Sequence, residues 1–350
     1  MRQYIITSGP ADRADMIRKL TDGKHAFGVF FTPGVCRYFT ADGRPNGAEE
    51  TTPDRDAVRI PADADEKAIK AARARAAGRE TVRAIEDAAA AILEKGPAAT
   101  TAADRLALLR FVNVAYHSSG KIEGCHSIDS TAGCEFCEKT RAAAAENVLI
   151  ICGMCYAAAD AYKEFSWRRH TLNARILSTV LFTPEEFRAA FDIPEGALVR
   201  INEDGDTVNE THARNILRIM AAFPGARFGY WFKNVPAVAA GLQAEGIRTR
   251  ADRPKNARFV QSSLLIGFRA APVWFADCTF TVYPDAETTA AAIAEGAWAC
   301  NGRRCRACGY WCYTPENNGG IIPDVAEVLR CGKDARAAIM AAYTEKKARG

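Results

Sequence analysis

The cysteine distribution constrains this chain more than any other feature of its sequence. Twelve cysteines occur in 350 residues, and nine of them fall in two short stretches. Cys125, Cys134, Cys137, Cys152 and Cys155 form a central group, and Cys300, Cys305, Cys308 and Cys312 form a C-terminal one. Thiolates gathered this closely need a cation to offset their charge, so the pattern points to metal. The remaining three, Cys36, Cys278 and Cys331, are scattered and need no special role. The first twenty residues contain no apolar stretch suited to a signal peptide, and no membrane-spanning run occurs. We therefore expect a cytoplasmic protein, where a reducing environment argues against a disulfide framework.

In the C-terminal group the gaps are four, two and three residues. Gly302 and Gly309 supply the permissive backbone that such tight turns need. Structural zinc prefers two CxxC knuckles, and only Cys305 and Cys308 make one. Successive two- and three-residue gaps resemble part of a ferredoxin run, which favours a [4Fe–4S] cluster over Zn2+. The central group offers two CxxC pairs, Cys134 with Cys137 and Cys152 with Cys155, and suits either metal. Cys125 makes a fifth candidate for four positions, so one thiol is spare and the chain holds one or two centres. A thioredoxin-like redox pair at Cys152 and Cys155 is a further reading. The CxxxCxxC loop of enzymes that cleave S-adenosylmethionine is absent, because the C-terminal gaps run in the reverse order.

The alternation of elements predicts the fold. An apolar run, HAFGVFFTPGVCRYF, reads as a hairpin or as one strand and a turn. From Asp63 to Lys95 the composition predicts a long, mostly solvated helix with a thin apolar stripe of Val82, Ile85, Ile92 and Leu93. A second helix begins near Ala103. The run NVLII at 147–151 is a strand candidate, and Thr183 is a helix N-cap. Beyond Pro194, about five strands alternate with helices, without a glycine-rich dinucleotide fingerprint. This predicts an α/β fold with a complete or partial (β/α) barrel-like core, preceded by a helical N-terminal region and followed by a cysteine-rich metal module. The expected boundaries are 1–100, 101–298 and 299–350.

Parallel α/β folds gather function at the carboxyl ends of their strands. There the sequence places Asp206, Lys233 and Gln261, so Asp206 and Lys233 are candidate catalytic residues facing a small-molecule substrate. Arg168 and Arg169, followed by His170, offer either phosphate contacts to a nucleic acid or a solvated helix face.

Several of these segments resemble the gene product 88-like family of cysteine-rich proteins from bacteriophages and related mobile elements. The resemblance rests on CGMCYA at Cys152–Ala157, Asn173 in HTLNARIL, VRINEDGD through Asp206, and GYWFKN ending near Lys233. Cys305, Cys308 and Cys312, with Cys300 before them, complete the set over residues 120–315. Arg200, Gly205 and Asp206 match the family pattern R-x-x-x-x-G-D. The long insertion between Cys137 and Cys152 departs from a more compact arrangement. The resemblance implies metal binding and the fold, and names no reaction. Two functions follow from the sequence: an iron–sulfur protein, enzymatic or not, with a pocket at the barrel mouth, and a nucleic-acid-binding or phage-related accessory protein with structural zinc.

Overall fold

The computed structural model describes residues 82–349, apart from 119, 131–134, 155–163, 301–304, 306–310, 314–323, 330 and 332, together with four short strands between residues 4 and 60. The chain divides into two units, Met1–Ala88 and Ala89–Gly350.

In the first unit, β1 (Tyr4–Ile6) pairs antiparallel with β3 (Arg37–Phe39), and β2 (Phe27–Val29) pairs with β4 (Val58–Ile60). The apolar run around Phe30 thus supplies two strands that pair elsewhere rather than with each other. A helix over 82–93 buries Val82, Ala89 and Leu93.

 Of the expected stripe, Val82 and Leu93 are buried while Ile85 and Ile92 are half-buried, Ala89 takes the place between them, and positions 63–81 of the expected helix lie outside the described residues.

The second unit is built on one eight-stranded sheet. Its strands are β5 (Ala115–Tyr116), β6 (His126–Ser130), β7 (Leu198–Gly205), β8 (Arg227–Phe232), β9 (Ala257–Ser262), β10 (Cys278–Tyr283), β11 (Trp298–Ala299) and β12 (Val325–Val328). The order is β11-β12-β10-β9-β8-β7-β6-β5, and every pairing is parallel except β5 with β6. From β6 to β10 the strands lie side by side in sequence order, without the reversal that marks a doubly wound sheet. The predicted alternation after Pro194 holds: helices Glu210–Ala222, Val235–Ala244 and Ala286–Ala294 follow β7, β8 and β10. Each begins at a side-chain cap, from Asn209, Asn234 and Asp285 respectively. Thr183 caps Pro184–Ala190 through a reciprocal bond with Glu186, as its sequence predicts.

The sheet curls strongly. Five inter-strand steps separate β12 from β6, which in a flat sheet would place them about 24 Å apart. Yet Lys121, just before β6, pairs with Glu327 of β12 at 2.7 Å, and its carbonyl accepts the Cys305 N–H at 2.6 Å. Pairing between the two edge strands is not among the described ladders, so the architecture is a mixed α/β fold on a curled, mainly parallel sheet.

The segment NVLII is not a strand. Asn147 ends the helix Glu135–Glu146 and its Oδ1 accepts the Leu149 N–H, turning the chain into a short 3-10 helix at Ile151–Met154. One isolated bridge, Ile150 to Leu265, is all its extended character. The apolar residues that suggested a strand serve packing instead: Leu149 is buried against Ile266, Leu329, Ile339 and Tyr343. Strand β6 went unpredicted because HSIDS carries none of the apolar alternation by which strands are recognised.

Candidate metal centre on the concave face of the sheet

Paired residues of a parallel ladder face the same side, so register identifies what the curl encloses. Ser127 pairs with Arg200, Arg200 with Gly229, and Gly229 with Arg258. One step further along, Trp231 pairs with Val260 and Val260 with Cys278. Around these rows a single cluster forms from Ile122, Cys125, Trp231, Val260, Cys278, Tyr313 and Val325. Cys300, Cys305 and Cys312 pack against it. Five cysteines separated by up to 187 positions in sequence therefore pack into one cluster. No disulfide joins the described cysteines.

Gly229 makes this approach possible. A Cβ there would collide with the Trp231 indole and lie 3.0 Å from the Cys312 carbonyl oxygen, so only glycine lets the Cys312 backbone settle on the sheet. Two guanidinium groups lie among the thiols. Arg200 stacks 4.1 Å from the centroid of the Trp231 ring, and Arg258 is fully buried beneath Cys278. Burial pushes the Cys125 thiol up to about 11, with Cys305 adding to the rise and Arg200 opposing it. Burial likewise pushes Cys278 up to about 12, against the pull of Arg258. Cys312 is raised by burial and by Cys278, Cys300 and Cys305 around it. Without a cation these thiols are neutral at pH 7, and ligation would release their protons.

A second polar group lies towards the carboxyl ends of β6 and β7. His117, Asp129 and Glu203 bring one ligand-type atom each within 4.8 Å of the others. The Ser127 hydroxyl donates to Asp129 Oδ2 at 2.6 Å and meets His117 Nε2 at 2.8 Å. The Glu203 N–H donates to Asp129 Oδ1 at 2.7 Å, an approach allowed by the left-handed backbone of Asn202, at φ 59°, and by a register shift between Ile128 and Ser130. Asn173 secures the helix Glu164–Thr179 to this strand, donating to the Asp129 carbonyl at 2.9 Å and accepting the Asn113 N–H at 2.7 Å.

The residues singled out in the sequence occupy varied places. Asp206 is buried, and its carboxylate accepts the N–H groups of Thr207, Lys233 and Asn234 at 2.7, 2.8 and 3.3 Å. Burial raises its pKa, while Lys233 and these donors pull it down. It fastens the end of β7 to the helix start after β8, and Gly205, at φ 88°, turns the chain to deliver it. Gln261 bonds instead to Ala271 and Val273 of a following loop. In the basic triplet, Arg169 is exposed and His170 is buried, with Nε2 3.9 Å from Asp129 Oδ2. Cys125 lies with Cys300, Cys305 and Cys312 of the C-terminal group. Cys152 is half-buried in the 3-10 turn. Cys134, Cys155 and Cys308 fall outside the described residues, as does the side chain of Cys137. Sequence spacing neither brings Cys278 into this cluster nor joins His117, Asp129 and Glu203. Polar residues in the short segment HSIDS, adjoining Cys125, were the available signal.

The fold and these side chains define a mixed α/β protein with a thiol-rich concave face. Its family is the one that the motifs resemble. The model of the family described as Gene product 88 matches residues 88–264, just over half of the chain, and the chain belongs to that family. The match takes in β5 through β9, and with them Cys125, His117, Asp129 and Glu203, but ends before Cys278 and the C-terminal cysteines. No curated protein and no solved structure matches the chain. Among the described residues no helix is long and apolar enough to cross a membrane.

Proposed function

We propose that this chain is a phage-related metalloprotein whose concave face holds an iron–sulfur centre. The observation that carries the reading is the convergence of Cys125, Cys278, Cys300, Cys305 and Cys312 in one cluster with two arginines beside them. Membership of the Gene product 88 family supports the phage-related part. Thiolates on a cation would gather in this way, and the nearby guanidinium groups would offset their residual negative charge.

Spacing favours a cluster over a lone zinc. Tetrahedral zinc with bonds of about 2.3 Å draws its sulfurs to about 3.8 Å apart. Among the described residues no three cysteines come within 4.8 Å of one another. An iron–sulfur cluster carries its thiolates on separate irons and suits the wider set. The curl, and the unreversed order of β6 to β10, support the barrel-like core as the frame of this site. Free thiols on this scale suit the reducing cytoplasm.

Anaerobic purification, an optical spectrum, and iron, zinc and sulfide assays test the proposal. We expect broad absorbance near about 400 nm with iron and sulfide in matching amounts. A colourless protein that contains zinc without sulfide would overturn the iron–sulfur assignment and favour the structural-zinc alternative.

A further inference from the structure

We infer that His117, Asp129 and Glu203 form a separate site for a hard divalent cation, of the Mn2+ or Mg2+ class. Three observations meet there. The ligand-type atoms of an imidazole and two carboxylates lie within 4.8 Å of one another, close enough to bind one ion after small adjustments. They come from three separate pieces of chain: His117 follows β5, Asp129 lies in β6, and Glu203 lies in β7. The site also stands towards the carboxyl ends of the parallel strands, where substrates reach such folds.

The surroundings suit a bound cation. Asp129 is almost wholly buried, with its side chain 4 % exposed, and is held by the Ser127 hydroxyl and the Glu203 N–H. These bonds fix its orientation, and the buried His170 faces it with Nε2 3.9 Å from Oδ2. His117 and Glu203 are 27 % and 24 % exposed, so the solvent side of the ion would remain open to water or a substrate oxygen. Three protein ligands with open positions describe a cation that polarises a bound oxygen rather than one that staples the fold. The oxygen-rich ligand set also separates it from the thiolate centre, which selects soft metals. The inference does not depend on the iron–sulfur proposal.

Mn2+ is the probe, since it prefers oxygen and nitrogen to thiolate and its free form is counted by electron paramagnetic resonance. We expect saturable binding of one ion to the full chain. Glu203→Gln and His117→Gln should each weaken it at least ten-fold, with circular dichroism and melting as in the parent. The two variants are independent, so either one that folds decides the question. Absence of saturable binding overturns the inference, as does unchanged affinity in a folded variant. Uptake that disappears in Cys305→Ser would place the ion in the thiolate centre and overturn it as well.

Discussion

At the residue scale, His212 and Asp206 show how buried polar groups fix the ends of the central strands. His212 Nδ1 accepts the Val208 N–H at 3.0 Å, so the ring proton belongs on Nε2, 3.2 Å from Ser130 Oγ. Burial lowers its pKa from 6.5 to about 3, which keeps the ring neutral. Between those values the unfolded chain holds the extra proton, so stability rises with pH across that window and falls on acidification. Going from pH 7.5 to 5.5 should lower unfolding stability by about 1 kcal/mol from this group. Urea titrations would show it, and His212→Gln should flatten that part of the slope; a flat parent profile would contradict the neutral buried ring. Asp206→Asn puts an amide NH2 among backbone donors that now share a carboxylate. The expected loss is about 1–3 kcal/mol, seen in the urea midpoint.

At the scale of elements, Gly229 decides whether the segment over Trp311–Tyr313 can lie on the sheet. Gly229→Ala should cost about 1–3 kcal/mol by overpacking, measurable by denaturation, and should lower the metal content as Cys312 is pushed away. The elements most legible in the sequence were those of regular character. Between Leu198 and Ala294, apolar strands alternate with capped helices, and each strand read there has its counterpart in the sheet. β6 was illegible because its buried residues include Ser127, Asp129 and Ser130, and the last two meet partners distant in sequence, Glu203 and His212. NVLII misled for the opposite reason, since its apolar side chains pack without a ladder. The Thr183 cap was readable because its bond spans only three residues.

At the scale of the whole molecule, the described cysteines include a grouping that sequence spacing does not suggest. Chain proximity placed Cys125 with Cys134 and left Cys278 without a role. The curl sets both beside Cys305 and Cys312, because β6 and β10 contribute to the same concave face. Sequence spacing identifies ligands that one loop brings together, but ligands joined across a sheet depend on register. His117, Asp129 and Glu203 were hidden for the same reason, since 86 positions separate the first from the last. The central claim is that thiols from distant strands serve one centre. Its most direct measurement is the iron and sulfide content of Cys125→Ser and Cys278→Ser, purified anaerobically beside the parent and Cys331→Ser. We expect the parent and Cys331→Ser to carry the same complement, and at least one of the two strand variants to lose most of it while remaining folded. Full iron and sulfide in both folded strand variants would contradict the account.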